Sequence, residues 1–204
     1  MSRRPLIRVI AAPDGAAARH PLSLGEVKAH LRVLSSAEDA HIGWLMHAAL
    51  EYLEGVDGRG GITGRSLVRR TREAAWEAFP ATDRLEIPLP PLEAVEAIQY
   101  VDTSGALQTL DPSAYEVAPE SLFGLVALKT GRAWPPTAIG LRAVRVRFLA
   151  GYPDAAFPKD LRAALLLHIG HLYANRESVA EKSGTVVPQA YEALIAPYML
   201  HGWI

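Results

Sequence analysis

Two histidines three residues apart, His168 and His171, have the spacing in this sequence that comes closest to a catalytic or metal-binding motif. On a helix, residues three apart lie on the same face, so both imidazoles could bind one metal ion. Glu177 lies further along the chain. A metal site needs at least a third ligand, and helical spacing from this pair supplies none. A histidine pair in a core or an interface is therefore the favoured interpretation, and a small metal-dependent hydrolase using the two histidines is the alternative.

The other motifs that could support catalysis are weaker still. His41 and His47 are six residues apart, which places them on different faces of a helix. The glycines between positions 55 and 64 match neither a phosphate-binding loop nor a dinucleotide fingerprint. No Gly-x-Ser-x-Gly elbow occurs, and a chain without cysteine has neither a thiolate nucleophile nor a cysteine-based zinc site. The sequence therefore predicts a protein that is not an enzyme and that uses no metal or cofactor.

Arginines form two clusters that could contact DNA phosphates or the acidic surface of a neighbouring subunit. One cluster contains Arg65, Arg69, Arg70 and Arg72, and the other contains Arg145 and Arg147. Arginines on the solvent face of a strand are commonly just solvated, and this interpretation stays open beside an ion-pair band between subunits.

Bulk composition limits the class of partner. The chain has 204 residues, half of them hydrophobic, with 21 basic and 22 acidic side chains. This length predicts one substantial core, or a core with a small lobe. The charge balance shows no bulk excess for nucleic-acid binding, so any DNA contact is local. The first residues do not resemble a secretory signal, and the most apolar later stretch, 161–173, is interrupted by charged and histidine residues. We expect a soluble protein without a membrane partner.

Helical patterns occupy the two ends of the sequence. Ser23 and Glu26 form a capping box, and a second helix start is predicted at Ser36 with Asp39. Apolar residues at helical spacing then continue to Gly55. A long apolar helix is predicted after Pro153, and a last one after Pro188.

The middle of the chain is predicted to be β and loop, because prolines recur there too densely for helices. Its clearest strand is 144–149, which alternates apolar and basic residues. Weaker strand candidates are 85–89, 95–102, 114–117 and 122–129, with a hairpin turn at 102–105. The segment 66–79 fits a helix or a strand equally well.

Read as an ordered string, the chain resembles the head-tail connector (adaptor) family of long-tailed bacteriophages, whose members also occur in gene transfer agents. The resemblance lies in LSLGEVKAHLRV (22–33), EDAHI (38–42), IPLPPL (87–92), LDPSAY (110–115), FLAGYP (148–153), PKDLR (158–162) and HLYANRE (171–177). It implies an α+β fold, an α-helical bundle with an inserted antiparallel β region. It also implies a ring, commonly of twelve copies, beneath the portal protein.

The implied partners are the portal, the neck or stopper and tail proteins, and other copies of the chain, with double-stranded DNA passing through the ring. The implied location is the particle neck, after assembly in the bacterial cytoplasm. A stopper or a tail terminator is the alternative within the same class. The predicted organisation is an extended N-terminal segment (1–21), a helical hairpin (22–58), a β-rich region (59–152), a core helix (153–177) and a C-terminal helical arm (178–204).

The last helix carries more apolar surface than a free tail should expose. Its predicted contact residues with the portal or a neighbouring subunit are Tyr191, Leu194, Ile195, Tyr198, Met199 and Trp203. The polar stretch 178–187 would tether this arm. The alternative is that the helix folds back on its own core.

Overall fold

The computed structural model describes residues 5–11, 20–56, 60–175 and 189–200. These residues form two compact units. The β-rich unit contains the first strand together with Val68–Tyr152, and the helical unit contains the described residues from 20 to 67 and from 153 to 200.

The β-rich unit is built from two antiparallel sheets. The strands are β1 Leu6–Ala11, β2 Arg70–Trp76, β3 Arg84–Ile87, β4 Leu92–Val101, β5 Leu107–Thr109, β6 Tyr115–Ala118, β7 Gly124–Leu128 and β8 Val144–Ala150. A five-stranded sheet has the order β1-β2-β8-β4-β5, and a three-stranded sheet has the order β3-β7-β6. Apolar side chains from both sheets share one core, which includes Ile87, Ile98, Val126, Val146 and Phe148.

Strand β8 confirms the alternating pattern at 144–149. Val144, Val146 and Phe148 are fully buried and face the core, whereas Arg145 and Arg147 lie on the opposite face of the sheet. The weaker strand candidates are confirmed within a few residues at each end, as β3, β4, β6 and β7.

The ambiguous segment 66–79 contains strand β2. This strand lies between β1 and β8, and six of its seven residues are buried. A strand covered on both faces does not need to alternate apolar and polar residues, which explains why periodicity alone could not identify it. Its partner β1 was expected only as an extended segment, and its place at the edge of the sheet was not predicted.

The helical unit contains α1 Leu24–Leu31, α2 Asp39–Glu54, α3 Lys159–Ala174 and α4 Gln189–Ile195. The Ser23 hydroxyl accepts the Glu26 amide at 3.2 Å, as the capping box predicts. The second start is slightly different from the prediction. Ser35 caps a short 3-10 turn at Ser36–Glu38, and α2 begins at Asp39.

Within the described residues, four helices and two antiparallel sheets confirm the α+β class. The finer description as a helical bundle with an inserted β region fits poorly. The β-rich unit includes a strand that precedes the first helix, and two of the helices have only 8 and 7 residues. The sheets form a compact unit with its own core, and further buried apolar side chains lie in the helical unit.

The predicted hairpin turn between β4 and β5 is organised by Asp102. Its carboxylate accepts hydrogen bonds from the Ser104 hydroxyl (2.5 Å), the Gln108 amide (2.8 Å) and the backbone amides of Ser104 and Ala106. Hydrogen bonds to the ionised form, led by those from Ser104 and Gln108, lower the pKa of Asp102 to about 2.

We therefore expect acid to weaken this hairpin. The folded-state pKa lies below the value of about 3.9 for an unfolded chain, so the stabilisation is fully present above that value and is lost as pH falls towards 2. NMR titration of the Asp102 carboxyl carbon should give a midpoint near 2, and Ser104→Ala should move it upwards. A wild-type midpoint near 4 would contradict the hydrogen-bond geometry.

Candidate assembly surfaces

A row of charged side chains crosses the five-stranded sheet on the face opposite its core. Arg8 on β1 pairs with Glu73 on β2 at 2.8 Å, and Arg147 on β8 pairs with Glu96 on β4 at 3.4 Å. Glu73 and Arg147 are register partners on adjacent strands, so the charge alternates in sign across four strands. Thr71 donates its hydroxyl to Glu96 at 3.0 Å. Arg147 is thus paired within its own chain, and the two positive charges of the row balance the two negative ones.

The remaining arginines of the predicted clusters do not form a common basic patch. Arg69 makes a bidentate pair with Glu93, with both N···O distances at 2.6 Å, and this hydrogen bonding lowers the pKa of Glu93. Arg72 is fully buried, which weakens its predicted contact with DNA or a neighbour. Arg70 and Arg145 are half-buried.

Arg65 belongs to the helical unit, whereas Arg69, Arg70 and Arg72 belong to the β-rich unit. Its Nε donates to the carbonyl of Tyr198 at 2.7 Å. The predicted contacts of all six arginines with DNA or with other subunits remain predictions, and the intrachain pairs weaken them because a paired guanidinium offers less charge to a partner.

The C-terminal helix packs on its own chain. Tyr191 and Ile195 are buried, α4 contacts α3, and the Leu200 amide donates to the Thr63 carbonyl at 3.0 Å. Leu194, Tyr198 and Met199 are half-buried. This placement favours the alternative in which the helix folds back. Among the described residues of the predicted contact set, Leu194, Tyr198 and Met199 stay partly accessible to a partner. Trp203 and the tether 178–187 lie outside the described residues.

His168 is part of an aromatic cluster. Its ring packs edge-on against Tyr52 at 5.0 Å and Tyr191 at 5.1 Å, which joins α2, α3 and α4. Burial, with a smaller contribution from His171, lowers the pKa of His168, so the neutral ring is favoured. Among the residues that the structure describes, no three histidine or carboxylate side chains are grouped to hold a metal. Glu177 is not among them.

His41 and His47 have different neighbours, as their spacing predicts. The ring of His41 lies near Trp44 and Tyr173, whereas that of His47 lies near His20. Within the described parts of the chain, no helix is long and apolar enough to span a bilayer.

Two groups of exposed apolar side chains were not identified from the sequence. One lies in the β-rich unit, at Leu107, Ile139 and Leu141, and the other on α2, at Trp44 and Tyr52. The second group could have been found from the sequence, since Trp44 lies outside the apolar stripe that α2 buries. Large exposed apolar side chains in one place are typical of an interaction surface.

Comparison with known proteins shows which solved structures share this architecture. The chain matches no family model and no curated protein. Among solved structures, it matches a chain in the neck of an empty gene transfer agent particle computed with C6 symmetry, with a TM-score of 0.74 at 24% identity. The match covers 98% of this chain and 100% of that one. The chain has the fold of a gene transfer agent neck protein.

Two further chains of gene transfer agent particles share this fold over the same extent of both chains. One is a chain of the virion of a native gene transfer agent particle, with a TM-score of 0.72 at 25% identity. The other is a chain in the neck of a native particle computed with C12 symmetry, with a TM-score of 0.69 at 21% identity. The resemblance that the sequence motifs indicated is therefore confirmed.

Proposed function

We propose that this protein is a head-tail connector (adaptor) subunit, one copy in a ring of twelve between the portal and the tail components of a phage or gene transfer agent particle. The main support for this proposal is the structural match to chains of gene transfer agent necks. The match extends over almost the whole of both chains, so neither chain has a large unmatched domain. The C12 symmetry of one of these necks supports the ring of twelve. Like those particle components, the protein acts by assembling, and not by catalysis.

The charge distribution suits a ring through which DNA passes. Free lysines and arginines bind phosphates by releasing counterions, and each such contact slows a sliding duplex. Here Arg69, Arg147 and Arg8 are paired with carboxylates of the same chain. The portal and the neck or tail proteins are the partners above and below the ring. The particle neck is the location, after assembly in the bacterial cytoplasm.

Particles made without this protein test the proposal. We expect filled heads and separate tails that do not join, and we expect the wild-type gene to restore joined particles. Electron microscopy of the restored neck should show twelve copies directly against the portal. Joined particles in the absence of the protein would refute the connector role, and copies found only at the tail-proximal end would favour a stopper or a tail terminator.

A further inference from the structure

The long connection between β7 and β8, residues 129–143, is fixed in place although it contains neither helix nor strand. Trp134 stacks on Phe79 with ring centroids 4.6 Å apart and donates its indole N–H to the Thr82 carbonyl at 2.7 Å. The Ala138 amide donates to the Val101 carbonyl at 2.9 Å. Connections of this length without regular structure are usually functional. We refer to these residues as the β7–β8 loop.

The loop presents apolar side chains to solvent from this fixed backbone. Ile139 is fully exposed and Leu141 is 76% exposed. Leu107 is exposed on the neighbouring strand, where it is the register partner of Val101. Because the loop is already ordered, a partner that covers these side chains does not have to order the loop on binding.

The loop is also basic. Residues 129–143 contain three basic side chains, Lys129, Arg132 and Arg142, and no carboxylate. Asp111 lies near Lys129 and Arg132 at the base of the loop. Arg142 is exposed next to Leu141, and within the described residues it makes no ion pair. The exposed tip is therefore apolar with a positive charge beside it.

Helix α2 presents a surface of the opposite charge. Trp44, Ala48, Glu51 and Tyr52 are at positions i, i+4, i+7 and i+8, which share one face. Trp44 is 66% exposed, and Glu51 is exposed with no ion pair within the described residues. Asp39–Glu54 contains no lysine or arginine. We refer to these four residues as the acidic aromatic face.

We propose that the β7–β8 loop of one copy docks on the acidic aromatic face of the next copy in the ring. The proposal rests on the proposed function, because it requires the ring. A cyclic ring is held by heterologous contacts, in which two different patches of each copy meet. This chain has two such patches, with apolar content on both and opposite charge. Tryptophan and arginine are also the residues that most often dominate binding energy at interfaces.

Cysteine cross-linking in assembled particles tests this contact, since the natural chain has no cysteine that could react. The probes are Gly140→Cys in the loop and Ala48→Cys on the helix face. Both changes are small, and a side chain at Gly140 meets nothing within 4 Å. The two single variants are produced together, so a link between them joins two chains. A short bismaleimide should yield a covalent dimer, and the double variant should yield a ladder of multimers.

Gly25→Cys in place of Ala48→Cys is the matched control, because Gly25 is exposed on another helix and a side chain there also meets nothing within 4 Å. The double variant with Gly140→Cys and Gly25→Cys should give no ladder of multimers. As a second test, Arg142→Glu and Glu51→Arg should each lower the yield of joined particles, and the combination should restore it. Neither change should alter the thermal melting of the isolated chain.

The outcomes of these experiments distinguish failure of the docking proposal from failure of the proposed connector role. A ring seen in the neck without the 140–48 link overturns the docking proposal and leaves the connector role intact. A link that forms with Gly140→Cys alone means a symmetric contact and also overturns it. A neck without a ring of this protein overturns the proposed function itself.

Discussion

Replacing Gly151 with alanine should destabilise the β-rich unit by roughly 2–5 kcal/mol, the sum of a backbone and a steric cost. Gly151 has φ +112°, a conformation that side chains disfavour. A Cβ added there would lie 2.4 Å from the Val68 carbonyl oxygen and 2.6 Å from the Arg69 nitrogen. These atoms cannot easily move away. Val68 bridges to Tyr152, and the Gly151 amide donates to the Pro91 carbonyl at 3.0 Å.

Gly105→Ala measures the backbone cost without the steric cost. Gly105 also has a positive φ, +88°, but a Cβ there meets nothing within 4 Å. Only the backbone cost of about 1–2 kcal/mol applies to it. Urea unfolding of both variants should therefore show a clearly larger loss for Gly151→Ala. Equal losses would mean that the strand end relaxes freely around residue 151.

Gly151 also explains part of the sequence resemblance in physical terms. It is the glycine of FLAGYP, and the close approach of the chain at Val68 requires that residue type. A motif of this kind is readable from sequence because its residue type is imposed by local geometry. The same holds for the Ser23 cap, for the buried stripe of α2 and for the alternation in β8.

Features that depend on distant partners could not be predicted. The carboxylates that pair with Arg69 and Arg147 are on β4, far along the sequence, so the arginines appear free when the sequence is read locally. Arg72 appears to belong to the same cluster, but it is on the core face of a central strand. The exposed loop tip at Ile139 and Leu141 was missed for a related reason. Aliphatic residues are usually predicted to be buried. These two are exposed because hydrogen bonds hold the loop backbone in place, and the sequence does not reveal those bonds.

The C-terminal helix shows how far a pattern can specify contacts. Apolar residues at i, i+3, i+4, i+7 and i+8 predicted an amphipathic helix. The structure confirms it up to Ile195, and a 3-10 turn at Ala196–Tyr198 follows. The pattern could not show whether the apolar face binds a partner or its own core. The buried state of Tyr191 and Ile195 favours its own core. The half-buried Leu194 on the same helix provides a comparison residue that is partly open to a partner.

Ile195→Ala should therefore lower the free energy of unfolding of the helical unit by about 2–5 kcal/mol, the usual cost of truncating a buried aliphatic side chain. Leu194→Ala removes a similar volume from a half-buried position and should cost clearly less. Chemical unfolding of the isolated chain, followed by circular dichroism at 222 nm, measures both. Deleting residues 189–204 should destabilise this unit at least as much as Ile195→Ala, because it removes Ile195 together with Tyr191 and Leu200. If the deletion leaves unfolding unchanged while heads and tails no longer join, the helix is a docking arm and its packing on α3 does not stabilise the subunit.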